Sequence, residues 1–206
     1  MIEVKQLQVV FKNKSIRYHD MVFEHGKSYF IYGDSGGGKS TLVKHLSLLE
    51  NSDAISYNGV DFTKFKKEKE KFKRKNIGIY LSEKMLVDDL TVSDHLSLVG
   101  KVDYEKLKNY GLLPLINTKV KHLSSGEKQR LGVLIALMKD GCYKFFDEPT
   151  SHVNKSLSDM IINGILDNHN KNKGITVVVS HDLSYKHLFD VVINISDVCD
   201  VVEEVV

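Results

Sequence analysis

Apolar and polar residues change their spacing several times along the 206-residue chain. Met1 to Lys5 alternate, which predicts a strand over residues 2–10. Ser28-Tyr29-Phe30-Ile31-Tyr32 predicts a second strand leading into a glycine cluster, and the apolar spacing from Lys39 to Leu49 predicts a helix. Asn58-Gly59 is a hairpin turn signal between short strands. Residues 77–81 read as another strand. Residues 84–139 carry little strand signal and several helical stretches, beginning near Thr91, Tyr104 and Ser124. Tyr143–Phe146 and Ile175–Val179 are short apolar runs bounded by polar residues, as buried parallel strands are. The pattern predicts an α/β fold with a mostly parallel sheet, a small antiparallel β part and an inserted helical subdomain. Residues 64–75 hold eight basic residues, with Phe65 and Phe72 seven apart on what would be one helical face. They predict an amphipathic surface helix with a solvated basic face; contact with acidic lipid headgroups is the sharper alternative.

Composition narrows the class. Hydrophobic residues make up 42% and charged residues 27%, ordinary for a globular chain with a core. The length suits a single domain over 1–206, with 1–83 and 140–206 forming the core and 84–139 the helical insertion. A net charge of +2 gives no argument for nucleic acid, and none is expected as partner. Cys142 and Cys199 lie far apart and indicate no disulfide framework. No run approaches 18 apolar residues, and the N-terminus lacks the apolar stretch of a signal peptide. A cytoplasmic protein is expected, meeting a membrane only through a partner.

Gly33-Asp34-Ser35-Gly36-Gly37-Gly38-Lys39-Ser40 matches G-x-x-x-x-G-K-[ST], between an apolar strand and a helix as that motif requires. Glycines let successive backbone N–H groups face phosphate oxygens, and the helix start adds its positive dipole end. Lys39 would reach the β- and γ-phosphates, and Ser40 would ligate Mg²⁺. Kinases, GTPases, helicases and recombination ATPases share this loop, so it does not choose among them.

Four further segments follow in order. Leu123-Ser124-Ser125-Gly126-Glu127-Lys128-Gln129-Arg130 resembles the signature of ATP-binding cassette (ABC) ATPases. Lys144-Phe145-Phe146-Asp147-Glu148-Pro149-Thr150 resembles their Walker B strand with its glutamate, Ser151-His152-Val153-Asn154 their D-loop, and Val177-Val178-Val179-Ser180-His181-Asp182 their switch strand. The likeness runs from Phe11 to about Val192. It implies ATP and Mg²⁺ as cofactors, with the nucleotide held by Phe11, by Gly33 to Thr41 and, from a second subunit, by Ser124, Ser125, Gly126 and Glu127. Asp147 supplies a Mg²⁺ carboxylate, Glu148 acts as general base, and Lys39 and His181 stabilise the γ-phosphate. Stacking of adenine on Phe11 would contribute roughly 1–3 kcal/mol. Hydrolysis then requires a head-to-tail homo- or heterodimer with ATP between the subunits.

The chain departs from the family pattern at Ser82, where glutamine is usual and where serine is left as a shorter Mg²⁺ ligand. Asn154 stands for a D-loop aspartate and Ser125 for a signature glycine. The tail beyond His181 suggests no regulatory C-terminal domain. The resemblance implies an energy-coupling ATPase subunit driving a separate membrane permease, at the inner face of the cell membrane. Residues 86–92 and the Ser-Gly-Glu of the signature look most like ATPases that export peptides, bacteriocins or lipoproteins. A second class is a cassette acting on nucleic acid or ribosomes, which would need a coiled-coil insertion or two cassettes in one chain. A third is a nucleotide-dependent binding module that hydrolyses weakly.

Overall fold

The computed structural model describes residues 1–81, 85–151 and 153–203. Its centre is built from runs too apolar to face water on either side. Lys27–Tyr32 (β5), Tyr143–Asp147 (β9) and Ile175–Val179 (β10) pair in parallel with Ile77–Tyr80 (β8) and Val191–Asn194 (β11). The resulting five-stranded sheet has the order β11-β5-β10-β9-β8. Side chains alternate across it. Tyr29, Ile31, Phe145, Val177 and Val179 join one apolar cluster, with the helix Lys39–Leu46 (α1). Phe30, Phe146 and Val178 join the other, with the helices Ser125–Met138 (α5) and Lys155–Asn172 (α6). Helices on both faces of an all-parallel sheet follow from this two-sided burial.

The remaining strands are antiparallel. Ile2–Val4 (β1), Met21–Phe23 (β4), Ile55–Tyr57 (β6) and Val60–Asp61 (β7) form one sheet. Gln8–Val10 (β2), Lys14–Tyr18 (β3) and Cys199–Glu203 (β12) form another. The single strand expected over residues 2–10 is therefore two strands in different sheets. The chain turns between them at Gln6, whose φ is 53° and whose N–H donates to Asp20 Oδ1 at 2.9 Å. The hairpin turn at Asn58-Gly59 lies between β6 and β7 as expected.

Between Met85 and Met138, helices predominate: Val92–Ser97 (α3) and Tyr104–Asn109 (α4) precede α5. Each starts at a residue able to satisfy exposed amide groups. The caps are Thr91, Asp103 and Ser124, and each side chain accepts a backbone N–H. Their apolar sides merge with α6 in the second cluster. The basic helix spans Lys66–Asn76 (α2). Phe65 precedes it and is 52% exposed, so the expected two-phenylalanine face is not formed. Phe72 alone packs inward, 5.0 Å from the Tyr57 ring and 4.8 Å from that of Phe62.

Candidate nucleotide site

Every strand of the parallel sheet points its carboxyl end the same way, and ligands of such sheets gather there. Tyr32, Asp147 and Val179 end three adjacent strands. The loop 33–38 leaves β5 and returns as α1. Gly38 caps α1 in a left-handed conformation with φ of 98°, where a side chain would be strained. A Cβ there would also lie 2.7 Å from the Tyr18 hydroxyl, which donates to the Gly38 carbonyl at 2.7 Å. Lys39 folds back over the loop and donates from Nζ to the Gly33 and Asp34 carbonyls, both at 2.7 Å. Burial lowers its pKa.

Asp147 is buried, and its Oδ1 has no hydrogen-bond partner among the described residues. The Ser40 hydroxyl pulls its pKa down, yet burial dominates and raises it. Glu148 follows in a left-handed conformation, φ 51°, a strained choice for a residue with a side chain. Its backbone is held on three sides. The N–H donates to Val179 O at 2.9 Å, and the carbonyl accepts from Gln129 Nε2 and from Ser151 Oγ, each at 3.2 Å. The turn aims the carboxylate at His181, whose Nε2 lies 3.2 Å from Glu148 Oε1. Among the described residues Oε1 has no hydrogen-bond donor, while the His181 backbone N–H donates to Glu148 Oε2 at 3.4 Å. Burial again raises the Glu148 pKa, against the pull of His181.

A cavity of about 240 Å³ collects much of this set: Phe11, Ser35, Gly36, Gly38, Lys39, Ser40, Thr41, Glu148 and His181. Gly33, Asp34 and Gly37 line an adjoining hollow that His181 shares. Lys14 and Ile16 also line the cavity and escaped the sequence reading. Lys14 Nζ donates to the Gly36 carbonyl at 3.2 Å and lies 5.8 Å from the Phe11 ring centre. Only the pairing of β3 beside the loop brings it there, and no motif marks it. The link from Gln129 to the Glu148 carbonyl was likewise not legible, because it joins positions 19 apart through packing.

Ser124, Ser125, Gly126 and Glu127 line neither hollow. They start α5 in a closed capping box. Ser124 N–H donates to Glu127 Oε2 at 2.7 Å, and Glu127 N–H donates to Ser124 Oγ at 3.3 Å. Asn154 caps α6, its Oδ1 accepting from Leu157 N at 3.0 Å. Ser82, expected as a metal ligand, lies outside the described residues, as does His152 of the D-loop segment.

The sequence model of the ABC transporter family matches residues 16–151. Among curated proteins, the methionine import ATP-binding protein MetN of Vibrio vulnificus strain YJ016 is 31% identical over 202 residues, covering 89% of this chain and 58% of the relative. The chain thus spans little more than half the length of that relative. An ABC transporter ATP-binding protein of Mycoplasma pneumoniae, the MG468.1 homolog, is 30% identical, covering 95% of this chain and 76% of its own length. Among solved structures, the dimeric bacterial ABC transporter cassette MJ0796 superposes with a TM-score of 0.82 at 21% identity, over 98% of both chains. The same cassette in a post-hydrolysis state with ADP and Pi gives 0.80 at 22% identity, over 94% of both. The fold is accordingly that of P-loop NTPase cassettes. A family match across about two thirds of the residues, laid over the glycine loop, α5 and the acidic end of β9, leaves one conclusion: the chain belongs to the ABC transporter family.

Proposed function

We propose that this chain binds and hydrolyses ATP as the nucleotide-binding subunit of an ABC transporter. In this reading residues 1–83 and 140–206 form the nucleotide-binding core, and 84–139 the helical subdomain. The observation that carries it is the convergence of Lys39, Ser40, Glu148 and His181 on one loop-lined cavity that Phe11 also lines, with the buried Asp147 carboxylate next to Ser40 and Lys39. A cavity with cationic, hydroxyl and carboxylate walls suits a phosphate chain and its cation. The backbone amides of residues 35–40 and the start of α1 take the phosphates, and Phe11 offers its ring to the base.

A magnesium ion fits this donor set. Among the described residues Asp147 Oδ1 has no hydrogen-bond partner, and this buried carboxyl lies beside the Ser40 hydroxyl, a hard-oxygen pair of the kind Mg²⁺ selects. When bound, the ion would neutralise charge on the phosphate oxygens. Glu148, its carboxylate basicity raised by burial, accepts the proton of the attacking water. His181 holds the γ-phosphate by a hydrogen bond from its ring. Lys39 exchanges its carbonyl partners for the β- and γ-phosphates.

The signature residues do not line this cavity. We therefore assign Ser124, Ser125, Gly126 and Glu127 to the nucleotide of a second cassette, in a head-to-tail dimer closed around two Mg-ATP. Such closure moves a separate membrane permease, placing the chain at the inner face of the membrane. The solute has two supported readings. Residues 86–92 and the Ser-Gly-Glu of the signature favour export of a peptide or lipid-like solute. The 31% identity to a methionine import protein favours uptake of an amino acid. The test of the ATPase reading is steady-state hydrolysis by purified protein with Mg-ATP, against Lys39→Ala. Equal rates would refute it. Stimulation of the reconstituted permease complex by methionine or by a peptide then separates the two solutes.

A further inference from the structure

Residues 64–76 carry eight basic and two acidic side chains, net +6, against +2 for the whole chain. The remainder is thus net −4, and the positive charge is concentrated on one helix. The orientation of α2 is fixed by what it buries. Phe72 lies 5.0 Å from the Tyr57 ring and 5.8 Å from that of Tyr143, and Lys69 Nζ donates to Asn51 Oδ1 at 2.5 Å. At 3.6 residues per turn, the opposite side presents Lys67, Lys71, Arg74 and Lys75 within an arc of about 100°. All four are exposed. With Lys66 and Glu70 they line one shallow surface trough, where Glu70 is paired with Lys73 at 3.1 Å.

Among the described residues none of Lys66, Lys67, Lys71, Arg74 and Lys75 forms an ion pair. Lys67, Lys71 and Lys75 follow each other at i, i+4, a spacing at which like charges repel and destabilise a helix. A face that keeps such repulsion uncompensated is stabilised by an external anion.

We infer that the outer face of α2 is a docking surface for the anionic headgroups of a membrane leaflet. Clusters of four to eight basic residues on one helical face bind acidic lipids through the surface potential. The helix spans about 17 Å, and its cations follow one another along a single exposed face, so they can approach one plane. The cationic arc holds no aromatic side chain on which a nucleic-acid base would stack. The choice of a bilayer over other polyanions rests on the proposed role beside a permease.

The experiment is co-sedimentation of the purified chain with vesicles of phosphatidylcholine alone or mixed with phosphatidylglycerol, with nucleotide binding measured in parallel. Binding is expected to the mixed vesicles only, and to fall as salt shortens the Debye length from about 10 Å at 0.1 M to about 3 Å at 1 M. In Lys67→Gln/Lys71→Gln/Arg74→Gln/Lys75→Gln, each neutralised charge should lower the partition coefficient about fivefold. Neutralising Lys5, Lys101, Lys108 and Lys171 instead, with the same change in net charge, should leave most of the binding. Equal loss in the two quadruple variants, equal binding to neutral vesicles, or no binding to mixed vesicles would overturn the proposal. So would tighter binding to duplex DNA or to polyglutamate than to the mixed vesicles. Loss of ATP binding with vesicle binding intact would instead count against the function proposed above.

Discussion

The glycine loop and the signature turn are both helix starts, yet the structure finishes them differently. At Ser124 the helix closes on itself: Glu127 accepts the exposed N–H and hydroxyl of Ser124. At Gly38 no side chain caps α1, and the nearby polar groups are incomplete. Among the described residues Asp147 Oδ1 has no hydrogen bond, Lys39 rests on carbonyls, and Glu148 holds a strained backbone. One region is satisfied without a ligand, and the other keeps buried polar atoms whose burial disfavours their charged forms. Stability given up at one helix start and kept at the other marks where ligand chemistry is expected within a single chain. Gln129 ties the two regions by carrying α5 to the Glu148 carbonyl.

The largest expected effect that sharpens this contrast is at Glu148. Glu148→Gln keeps the shape and removes the base, so hydrolysis should fall about 10²- to 10⁴-fold, while ATP-dependent dimers accumulate on size-exclusion chromatography. Normal hydrolysis with an elution volume unmoved by ATP would remove Glu148 from its role. Lys39→Ala should lower kcat/KM by about 10²- to 10³-fold, and nucleotide titration should show weakened binding as well.

Asp147→Asn tests the incomplete region through stability. Burial raises the Asp147 pKa, so this group's contribution is fully present below its ordinary value and lost as pH rises through the raised one. Without nucleotide, Asn should therefore melt above the native chain at neutral pH. The gap should close as pH falls toward about 4. A calorimetric scan in which Asn melts lower at pH 7 would contradict the reading of Asp147 as an uncompensated carboxylate. Ser124→Ala probes the satisfied region and should have the smallest reach. Losing the cap costs about 1 kcal/mol, while the affinity of the isolated chain for nucleotide should not change. A fall in that affinity would break the separation between the two regions.

What local chemistry could specify was legible from residue order. The apolar runs of β9 and β10 fitted buried strands, a helix start near Ser124 was legible, and the loop 33–40 carried the glycines and lysine of a phosphate-loop pattern. The strand over 2–10 was misread because alternation does not reveal a change of sheet. Gln6 is turned by Asp20, and that contact lies 14 residues away. Phe65 and Phe72 have helical spacing, but where α2 begins is decided by the rings of Tyr57, Phe62 and Tyr143 that receive only Phe72.

The residue pattern by itself thus determined the α/β class, the phosphate loop and the resemblance to ABC ATPases, because each depends on side chains close together in the chain. Tertiary structure alone decided that Lys14 and Ile16 wall the cavity, that Gln129 holds the Glu148 turn, and which cations of α2 face outward. Those facts depend on which strands pair and which faces are buried. The energies that settle them arise between residues far apart in sequence, where local period carries no information.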